Sequence, residues 1–396
     1  MNFVFVSPHF PHYYRNFCDR LKKNGVNVLG IGDEPFDNLQ EELKNSLTEY
    51  YFVPKLDDYE QVFKAVAFFS FKYGKIDWIE SNNEFWLEQD ARLRNDFNIT
   101  TGEHIENMRR IKNKSEMKKY YALAKIPTAR LHKVTTIDSA HNFIAQVGYP
   151  VIVKPDVGVG ANDTYKLEND EELKEFFDEH IDVPYVMEEF ITGRICSYDA
   201  VVNSKSEPLF ESMSVWPPSA MEIVLKKLEL SYYTVDYMPE NFKNLGRAAL
   251  KAFGVKSRFV HLEFFRLTKP KEGLGEVGDF VGLEVNMRPA GGYTTEMMNF
   301  AHSTDVYQIW ADMVTDDARK LPDSGEHHFC VFSSRRDEHK YVHTHEEILE
   351  KFGEDIVMCE RMPGVLSLSM GQQMYTAKAK DKQAVDDFVK FVQERA

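Results

Sequence analysis

The sequence contains few cysteines, and none lies at a spacing that would build a disulfide framework or a zinc site. There are four in 396 residues, all far apart: Cys18, Cys196, Cys330 and Cys359. Disulfide scaffolds and zinc sites use paired or clustered cysteines. The pattern therefore predicts reduced thiols in a cytoplasmic protein.

An excess of positive charge and long apolar runs are also lacking. The formal net charge is -15, which argues against nucleic acid as the main partner, because phosphate binding needs clustered cations. An anionic substrate would need a local basic site. No apolar run approaches the roughly 20 residues that span a bilayer. The start, Met-Asn-Phe-Val-Phe-Val, lacks the basic residues of a signal peptide, so we expect a first strand there and no membrane partner.

The chain has enough apolar residues, 43% of the total, for two or three domains. Near the N-terminus, apolar runs at 3–6, 26–31 and 76–79 predict buried strands, and helical spacing at 13–23 and 59–72 predicts helices between them. Strand, helix, strand in this rhythm is typical of a parallel α/β unit. No Gly-x-Gly-x-x-Gly follows the first strand, so we expect no dinucleotide site there.

The loop after the first predicted strand carries candidate substrate ligands. Residues 7–12 include His9 and His12, and Arg15 follows. Loops at the carboxyl ends of parallel strands often line a ligand crevice. The alternative is a pair of surface histidines.

A glycine-containing loop follows the strand predicted at 151–154. Gly158, Gly160 and Ala161 would let backbone N–H groups approach a phosphate closely, and Lys154 at the strand end would add a point charge. A plain hairpin with a lysine at its base is the alternative. Further along, the segment 184–191 predicts an extended hinge.

The hinge segment reads Pro-Tyr-Val-Met-Glu-Glu-Phe-Ile. Main-chain groups of Glu189 and Ile191 could read an adenine in an apolar slot. An edge strand with two surface glutamates is the alternative.

Two later strand patterns would place oxygen ligands together. In the stretch 282–293, Glu284, Asn286 and Arg288 alternate with apolar residues and would share one strand face. In the strand predicted at 258–267, Glu263 would face that strand across a turn-rich segment. Carboxylate and amide oxygens beside a cation suit a divalent metal that holds a polyphosphate. A half-buried strand with a solvated polar face is the alternative.

The remaining patterns predict structure rather than a site. A helix is expected at 103–124, another at 136–147 with Asp138 as its cap, and a third that Ser303 or Thr304 caps. A polar linker is expected at 316–326. Beyond it, short strands alternate with helices near 344–352 and 381–394, and the histidines there lack ligand spacing.

Together these motifs, in this order, resemble the ATP-grasp superfamily, and most of all its carboxylate–amine ligases, with kinship to biotin carboxylase and carbamoyl phosphate synthetase. The motifs are Lys114, Val-Ile-Val-Lys-Pro with its glycine loop, Val-Met-Glu-Glu-Phe-Ile-x-Gly, His-x-Glu-Phe-Phe and Leu-Glu-Val-Asn-x-Arg-Pro-x-Gly-Gly. The resemblance covers roughly residues 1–314. It implies a mixed α/β (α+β) fold with an N-terminal parallel α/β domain at 1–112, a mobile lid at 113–189, an antiparallel-sheet core with the metal site at 190–322 and a C-terminal subdomain at 323–396.

The resemblance also implies roles for particular residues. Lys114 and Lys154 match the phosphate-binding lysines, Glu188 matches a nucleotide-pocket glutamate, and Glu189 and Ile191 match the adenine contacts. Glu263, Glu284 and Asn286 match the magnesium ligands, and Arg288 matches the arginine that steadies the transferred phosphoryl group. Gly158 and Gly160 belong to the matching phosphate cover. One departure is Ile195, which stands where many relatives carry a ribose-binding glutamate.

The implied activity is ATP-dependent ligation of a carboxylate to an amine through an acyl phosphate, with ATP and Mg2+ or Mn2+ as cofactors. The alternatives are phosphorylation or carboxylation of another small acceptor, or a nucleotide-binding module without catalysis. Biotin carboxylation is disfavoured because the chain has no Met-Lys-Met. His9, Arg15, Trp216 and Arg258 are the substrate candidates, the acid and amine are undefined, and homodimerisation is left open.

Overall fold

The structure is a computed structural model that describes residues 1–158, 163–179, 183–216 and 227–396. Its strands, in chain order, are β1 (Asn2–Val6), β2 (Asn27–Gly32), β3 (Glu49–Phe52), β4 (Trp78–Glu80), β5 (Leu131–Lys133), β6 (Val151–Pro155), β7 (Tyr165–Leu167), β8 (Tyr185–Glu189), β9 (Gly193–Val202), β10 (Pro208–Trp216), β11 (Ser231–Thr234), β12 (Arg258–Leu267), β13 (Phe280–Asn286), β14 (Phe329–Arg335), β15 (Ile356–Arg361) and β16 (Gln373–Ala379). The α-helices are α1 (Arg15–Lys23), α2 (Glu41–Ser46), α3 (Tyr59–Tyr73), α4 (Leu87–Asp96), α5 (Met108–Lys112), α6 (Lys114–Leu123), α7 (Ile137–Val147), α8 (Asp170–Glu179), α9 (Glu240–Phe253), α10 (Thr294–Ala301), α11 (Val306–Asp316), α12 (His345–Phe352), α13 (Gly364–Met370) and α14 (Lys382–Gln393).

The N-terminal sheet has the strand order β3-β2-β1-β4, and all its pairs are parallel. This confirms the predicted parallel α/β unit. The short elements β3, α2 and α4 were not predicted. The first two of them are only four and six residues long, so their apolar pattern has too few repeats to be recognised.

The second sheet is antiparallel and has the order β5-β8-β6-β7. The hinge motif forms β8, which lies between β5 and β6 and is buried along its length. The alternative interpretation of this segment as an edge strand with two surface glutamates is therefore wrong. Glu188 is opposite Ile152 of β6 and Leu131 of β5.

The largest sheet runs in the order β13-β12-β9-β10-β11-β14-β16-β15, and its pairs are antiparallel. The strands of the C-terminal part thus extend the sheet that carries the candidate metal ligands. One face of this sheet, with Val201, Phe210 and Phe259, packs in the same core as β1 and α1. The opposite face, with Tyr198 and Phe264, packs on α9.

Several helix boundaries differ from the predicted ones. The helix expected at 103–124 is interrupted at Asn113, which separates α5 from α6. Thr136, and not Asp138, caps α7, because its hydroxyl accepts the Ser139 N–H. Asp305, and not Ser303 or Thr304, caps α11 through the Gln308 N–H. Among the helices of the described residues, none is both long enough and apolar enough to cross a bilayer.

Candidate active site

The predicted oxygen ligands meet on neighbouring strands. Glu263 of β12 is directly opposite Glu284 of β13, and His261 is opposite Asn286. The Asn286 side chain donates from Nδ2 to Oε1 of Glu263 at 3.3 Å. The strands pair because the segment between them folds into tight turns, in which Gly275 has φ 144° and Gly278 has φ 95°. The structure thus brings the two carboxylates and the amide into one cluster, as alternation along the strands predicted.

The Glu263 carboxylate contacts a buried histidine, His261. His261 contacts Glu263 Oε1 through Nε2 at 3.2 Å and Asp199 Oδ1 through Nδ1 at 2.7 Å. Asp199 also accepts a hydrogen bond from Ser197 at 2.6 Å. Burial alone would lower the pKa of His261, but Asp199 and Glu263 outweigh it and raise the pKa to about 9. Conversely, His261 holds the pKa of Glu263 below its ordinary value against the effect of burial.

The donor set of this cluster fits a hard divalent cation, because it offers two carboxylates and an amide oxygen. Among the described residues, no group of three or more His, Cys, Asp or Glu side chains is arranged to hold a metal. The candidate ligands therefore do not form a complete protein cage. Such a set suits an ion that also takes oxygens from a polyphosphate, as Mg2+ commonly does.

Two of the lysines at the site were predicted. Lys114 at the start of α6 lies 3.1 Å from Glu284, so it joins α6 to β13. Lys154 at the end of β6 lies 2.7 Å from Glu188. Burial would lower the pKa of Lys154, but Glu188 and Glu284 raise it above its ordinary value.

A third lysine, Lys118, was missed by sequence reasoning. It lies 2.5 Å from the other oxygen of Glu188, so one carboxylate is shared by two ammonium groups. Burial would raise the pKa of Glu188, yet Lys118 and Lys154 lower it to about 2. Burial lowers the pKa of Lys118 despite Glu188, and Lys154 lowers it further. The sequence could have indicated Lys118, because it follows Lys114 by one helical turn and therefore lies on the same face of α6.

The first residues of the predicted phosphate-cover loop are hydrogen-bonded to α6. Asp156 accepts hydrogen bonds from the N–H and the hydroxyl of Ser115, both at 2.8 Å. The Asp156 carbonyl accepts the Lys114 N–H at 2.9 Å, and Lys114 Nζ donates to the Gly158 carbonyl at 3.4 Å. Gly160 lies outside the described residues.

The predicted adenine hinge ends in a small apolar cluster. Ile191 is buried with Ala129, Leu267 and Val281, and Phe265 packs against them. The Glu189 N–H donates to the Arg130 carbonyl at 3.2 Å, so an adenine contact from Glu189 would come from its carbonyl. Ile195 of β9 is opposite Phe265 of β12.

Arg288 follows β13, which carries two of the candidate metal ligands. Its side chain connects the cluster of candidate ligands to Glu84, which follows β4 of the N-terminal sheet. Its Nη2 lies 3.4 Å from Oδ1 of Asn286, and its Nε lies 3.7 Å from Oε2 of Glu84. Arg258, predicted as a substrate ligand, is 1% exposed. It donates to the Met287 carbonyl at 2.7 Å and pairs with Glu80 of β4 at 3.2 Å.

The other substrate candidates lie on surrounding elements. His9 contacts Asp33 at 3.2 Å, and Arg15 donates to Gln40 at 3.1 Å. The ring of His12 lies 6.1 Å from that of Tyr293, close to the Gly-Gly segment. Trp216 stacks on Tyr232 with ring centroids 3.9 Å apart. A substrate role for these side chains stays a prediction.

One cavity of about 280 Å³ lies elsewhere. It opens beside the first half of β10, where Ser212 contacts His302 at 2.9 Å and His302 contacts His327 at 3.1 Å. None of the predicted site residues lines it. The predicted oxygen ligands lie instead in the polar cluster on β12 and β13.

Comparison with known proteins assigns a family to part of the chain. A family model described as an ATP-grasp domain matches residues 111–226. The matched range contains Lys114, Lys118, Lys154 and Glu188. The strands β12 and β13, which carry the candidate metal ligands, follow it.

Solved structures are similar over nearly the whole chain. The L-amino acid ligase from Bacillus licheniformis is 15% identical, with 99% of this chain and 96% of that chain covered and a TM-score of 0.71. N5-carboxyaminoimidazole synthetase from Staphylococcus aureus is 16% identical, with 98% and 97% covered and a TM-score of 0.69. The biotin carboxylase domain dimer of the 2-oxoglutarate carboxylase from Hydrogenobacter thermophilus, in complex with MgADP, ADP and bicarbonate, is 14% identical, with 97% and 88% covered and a TM-score of 0.69. At these identities, the likeness establishes the shared fold.

Proposed function

Because this chain contains an ATP-grasp domain and has the ATP-grasp fold, we propose that it is an ATP-dependent ligase that joins a carboxylate to an amine and releases ADP and phosphate. The observation that carries the proposal is the convergence of Glu263, Glu284 and Asn286. Lys114 contacts the same cluster from α6, and Arg288 contacts it from the end of β13.

The proposed nucleotide site lies between the second sheet and the largest sheet. Lys114, Lys154 and the loop containing Gly158 and Gly160 would bind the ATP phosphates. Ile191 and the Glu189 carbonyl would hold adenine, and Glu188 would set the positions of Lys118 and Lys154 through its two short contacts. With Ile195 in place of a carboxylate, the ribose would be held by another group.

Glu263, Glu284 and Asn286 would hold Mg2+ or Mn2+, which would supply positive charge that neutralises the triphosphate. The structure of the relative from Hydrogenobacter thermophilus contains MgADP, which supports the proposal that the metal is magnesium. Lys154 and Arg288 would add charge at the transferred phosphoryl group, where negative charge builds up in the transition state.

The reaction would proceed in two steps. An oxygen of the substrate carboxylate attacks the γ-phosphorus, and the bond to the β-phosphate oxygen breaks, which gives an acyl phosphate and ADP. An amine then attacks the acyl carbon and phosphate leaves. Because acyl phosphates hydrolyse readily, the loop after Asp156 would exclude water from the time the acyl phosphate forms until the amine attacks it.

The organisation predicted from the sequence is kept in this proposal. Residues 1–112 would form the N-terminal domain, 113–189 the lid, 190–322 the core with the metal site and 323–396 the C-terminal subdomain. A cytoplasmic location is proposed because the cysteines are scattered and free. Homodimerisation is proposed from the dimer named for the Hydrogenobacter thermophilus relative.

The test is ADP release from ATP and magnesium across a panel of the twenty standard amino acids, alone and in pairs. Turnover that requires one acid and one amine, with an amide as product, supports the ligase. Turnover that yields a stable phosphorylated or carboxylated acceptor would identify one of the other reactions. ATP binding without turnover on any member of the panel would favour a nucleotide-binding module.

A further inference from the structure

Glu84 is a carboxylate at the candidate active site that no sequence motif indicates. It lies in the turn between β4 and α4, and its side chain is 10% exposed. Its Oε2 has no hydrogen-bond donor among the described residues. A buried carboxylate oxygen without a donor is costly, so the position suits a donor that a ligand brings.

The place of Glu84 relates it to the reacting groups. The Arg288 guanidinium contacts Glu84 through Nε at 3.7 Å and Asn286 through Nη2 at 3.4 Å. Because Nε and Nη2 share one edge of the guanidinium, Arg288 links Glu84 to the candidate metal cluster along that edge. The other charged groups that act on it are Lys112, Glu284 and Arg258.

We propose that Glu84 binds the ammonium group of the amine substrate and accepts its proton before the amine attacks the acyl phosphate. This inference rests on the proposed ligase function. The proton moves from nitrogen to Glu84, and the nitrogen lone pair then forms the C–N bond to the acyl carbon. The bond from that carbon to the phosphate oxygen breaks, and phosphate leaves with the second nitrogen proton.

The chemistry of the position favours an ammonium group over other ligands. A substrate carboxylate would be repelled by Glu84, whereas an ammonium can donate a hydrogen bond to Oε2, which pairs with Arg288 at 3.7 Å but accepts no hydrogen bond from the described residues. Burial raises the pKa of the Glu84 carboxyl against the effect of Arg288 and Lys112, so this carboxylate takes up a proton more readily than an exposed glutamate does. The competing role is structural, in which Glu84 only holds Arg288 for phosphoryl transfer.

Hydroxylamine separates these two roles, because it is largely uncharged at neutral pH and attacks acyl phosphates without a base. The full-length protein, with ATP and magnesium, is assayed on the twenty standard amino acids for hydroxamate formation and for amide formation. Glu84→Gln is compared with the wild type and with Glu88→Gln, an exposed glutamate 3.5 Å from Lys112 in the same segment.

We expect Glu84→Gln to form hydroxamate at about the wild-type rate and to form amide on the order of 10²-fold more slowly. The loss should shrink as the pH rises toward the pKa of the amine, because free amine then becomes available. Glu88→Gln should match the wild type in both assays. Retained hydroxamate formation also shows that the variant is folded.

Two results would overturn the inference. Amide formation by Glu84→Gln at the wild-type rate would show that no proton is accepted there. Equal loss of hydroxamate and amide would assign Glu84 to phosphoryl transfer through Arg288. If the wild type forms no hydroxamate with any amino acid, amino-acid ligation itself fails, which is distinct from an active wild type that Glu84→Gln leaves unchanged.

Discussion

At the scale of single residues, Glu188 joins two buried cations at the candidate site. Its carboxylate contacts both Lys118 and Lys154. Glu284 also acts on Lys154, whereas Lys118 contacts only the shared Glu188 carboxylate among the described ion pairs and loses hydration through burial. Both pKa values of the Lys118–Glu188 pair are lowered. The low pKa keeps Glu188 ionised, whereas the lowered pKa of Lys118 shows that burial disfavours its charged form. A bound triphosphate would supply the missing negative charge.

The first residue-scale prediction concerns Lys118. Replacing it by Met should raise the KM for ATP about tenfold, the loss of one charge-assisted contact of about 1.4 kcal/mol. The thermal midpoint without nucleotide should stay the same or rise, since an excess buried cation is removed. Steady-state kinetics and thermal melting measure both quantities. Lys119→Met, at an exposed neighbour that pairs with Glu116, is the control and should leave the KM unchanged.

The second residue-scale prediction concerns Glu284, which is opposite Glu263 and 3.1 Å from Lys114. Glu284→Ala should reduce ATP turnover by about 10²-fold or more, because a proposed metal ligand is lost. The fold should persist, and circular dichroism checks this. Near-normal ADP release from this variant would contradict the metal assignment. Glu276→Ala, in the exposed turn of the same hairpin, should behave as the wild type.

At the scale of secondary-structure elements, α9 packs closely on β9, on one face of the largest sheet. A Cβ on Gly246 of α9 would lie 2.2 Å from the Tyr198 ring. Tyr198 is fully buried, and its hydroxyl donates to Glu211 at 2.7 Å. The ring therefore cannot move without breaking this bond, so helix and strand approach closely only because residue 246 is glycine.

The element-scale prediction is that Gly246→Ala destabilises the protein by about 1–3 kcal/mol, the usual effect of overpacking. The better helix propensity of alanine, worth up to about 1 kcal/mol, should not offset it. Urea unfolding midpoints measure the change. Gly364→Ala is the matched control, because a Cβ there meets no atom within 4 Å at the start of α13. Equal midpoints for both variants would refute the packing argument.

At the scale of the whole molecule, polar contacts join the N-terminal unit to the helices that follow the Gly-Gly segment. Asn16 of α1 donates to Glu296 of α10 at 3.2 Å, and Tyr307 of α11 donates to the same carboxylate. Arg20 of α1 also pairs with Asp305 at 2.7 Å. Burial raises the pKa of Glu296 to about 7, so its ionisation opposes this packing near neutral pH.

The whole-molecule prediction follows from that pKa. Between the ordinary value of 4.5 and about 7, the folded state holds a proton that the unfolded state has lost, so stability falls as the pH rises through this window. Glu296→Gln should match the wild type at pH 4.5 and be more stable at pH 8, by up to about 3 kcal/mol. Thermal midpoints at both pH values measure this. An exposed control, Glu272→Gln, should keep the wild-type pH profile.

Local patterns in the sequence predicted the parallel N-terminal unit, the alternation of Glu284 and Asn286 on β13 and the lysine at the end of β6, because strand faces and helix spacing depend on neighbours in the chain. The caps of α7 and α11 were misplaced because several adjacent residues have capping side chains, and only the backbone geometry selects one.

Contacts between distant residues were decided only by the tertiary structure. Glu84 meets Arg288, and Asp199 meets His261, across separations of 204 and 62 residues. No local pattern specifies either pair. The first depends on how the N-terminal sheet packs on the largest sheet, and the second depends on the pairing of β9 with β12 inside the largest sheet. The sequence by itself determined which ligands share a strand face. Tertiary packing decided which buried charges lie beside these candidate ligands, because burial and distance set the free-energy cost of each charge.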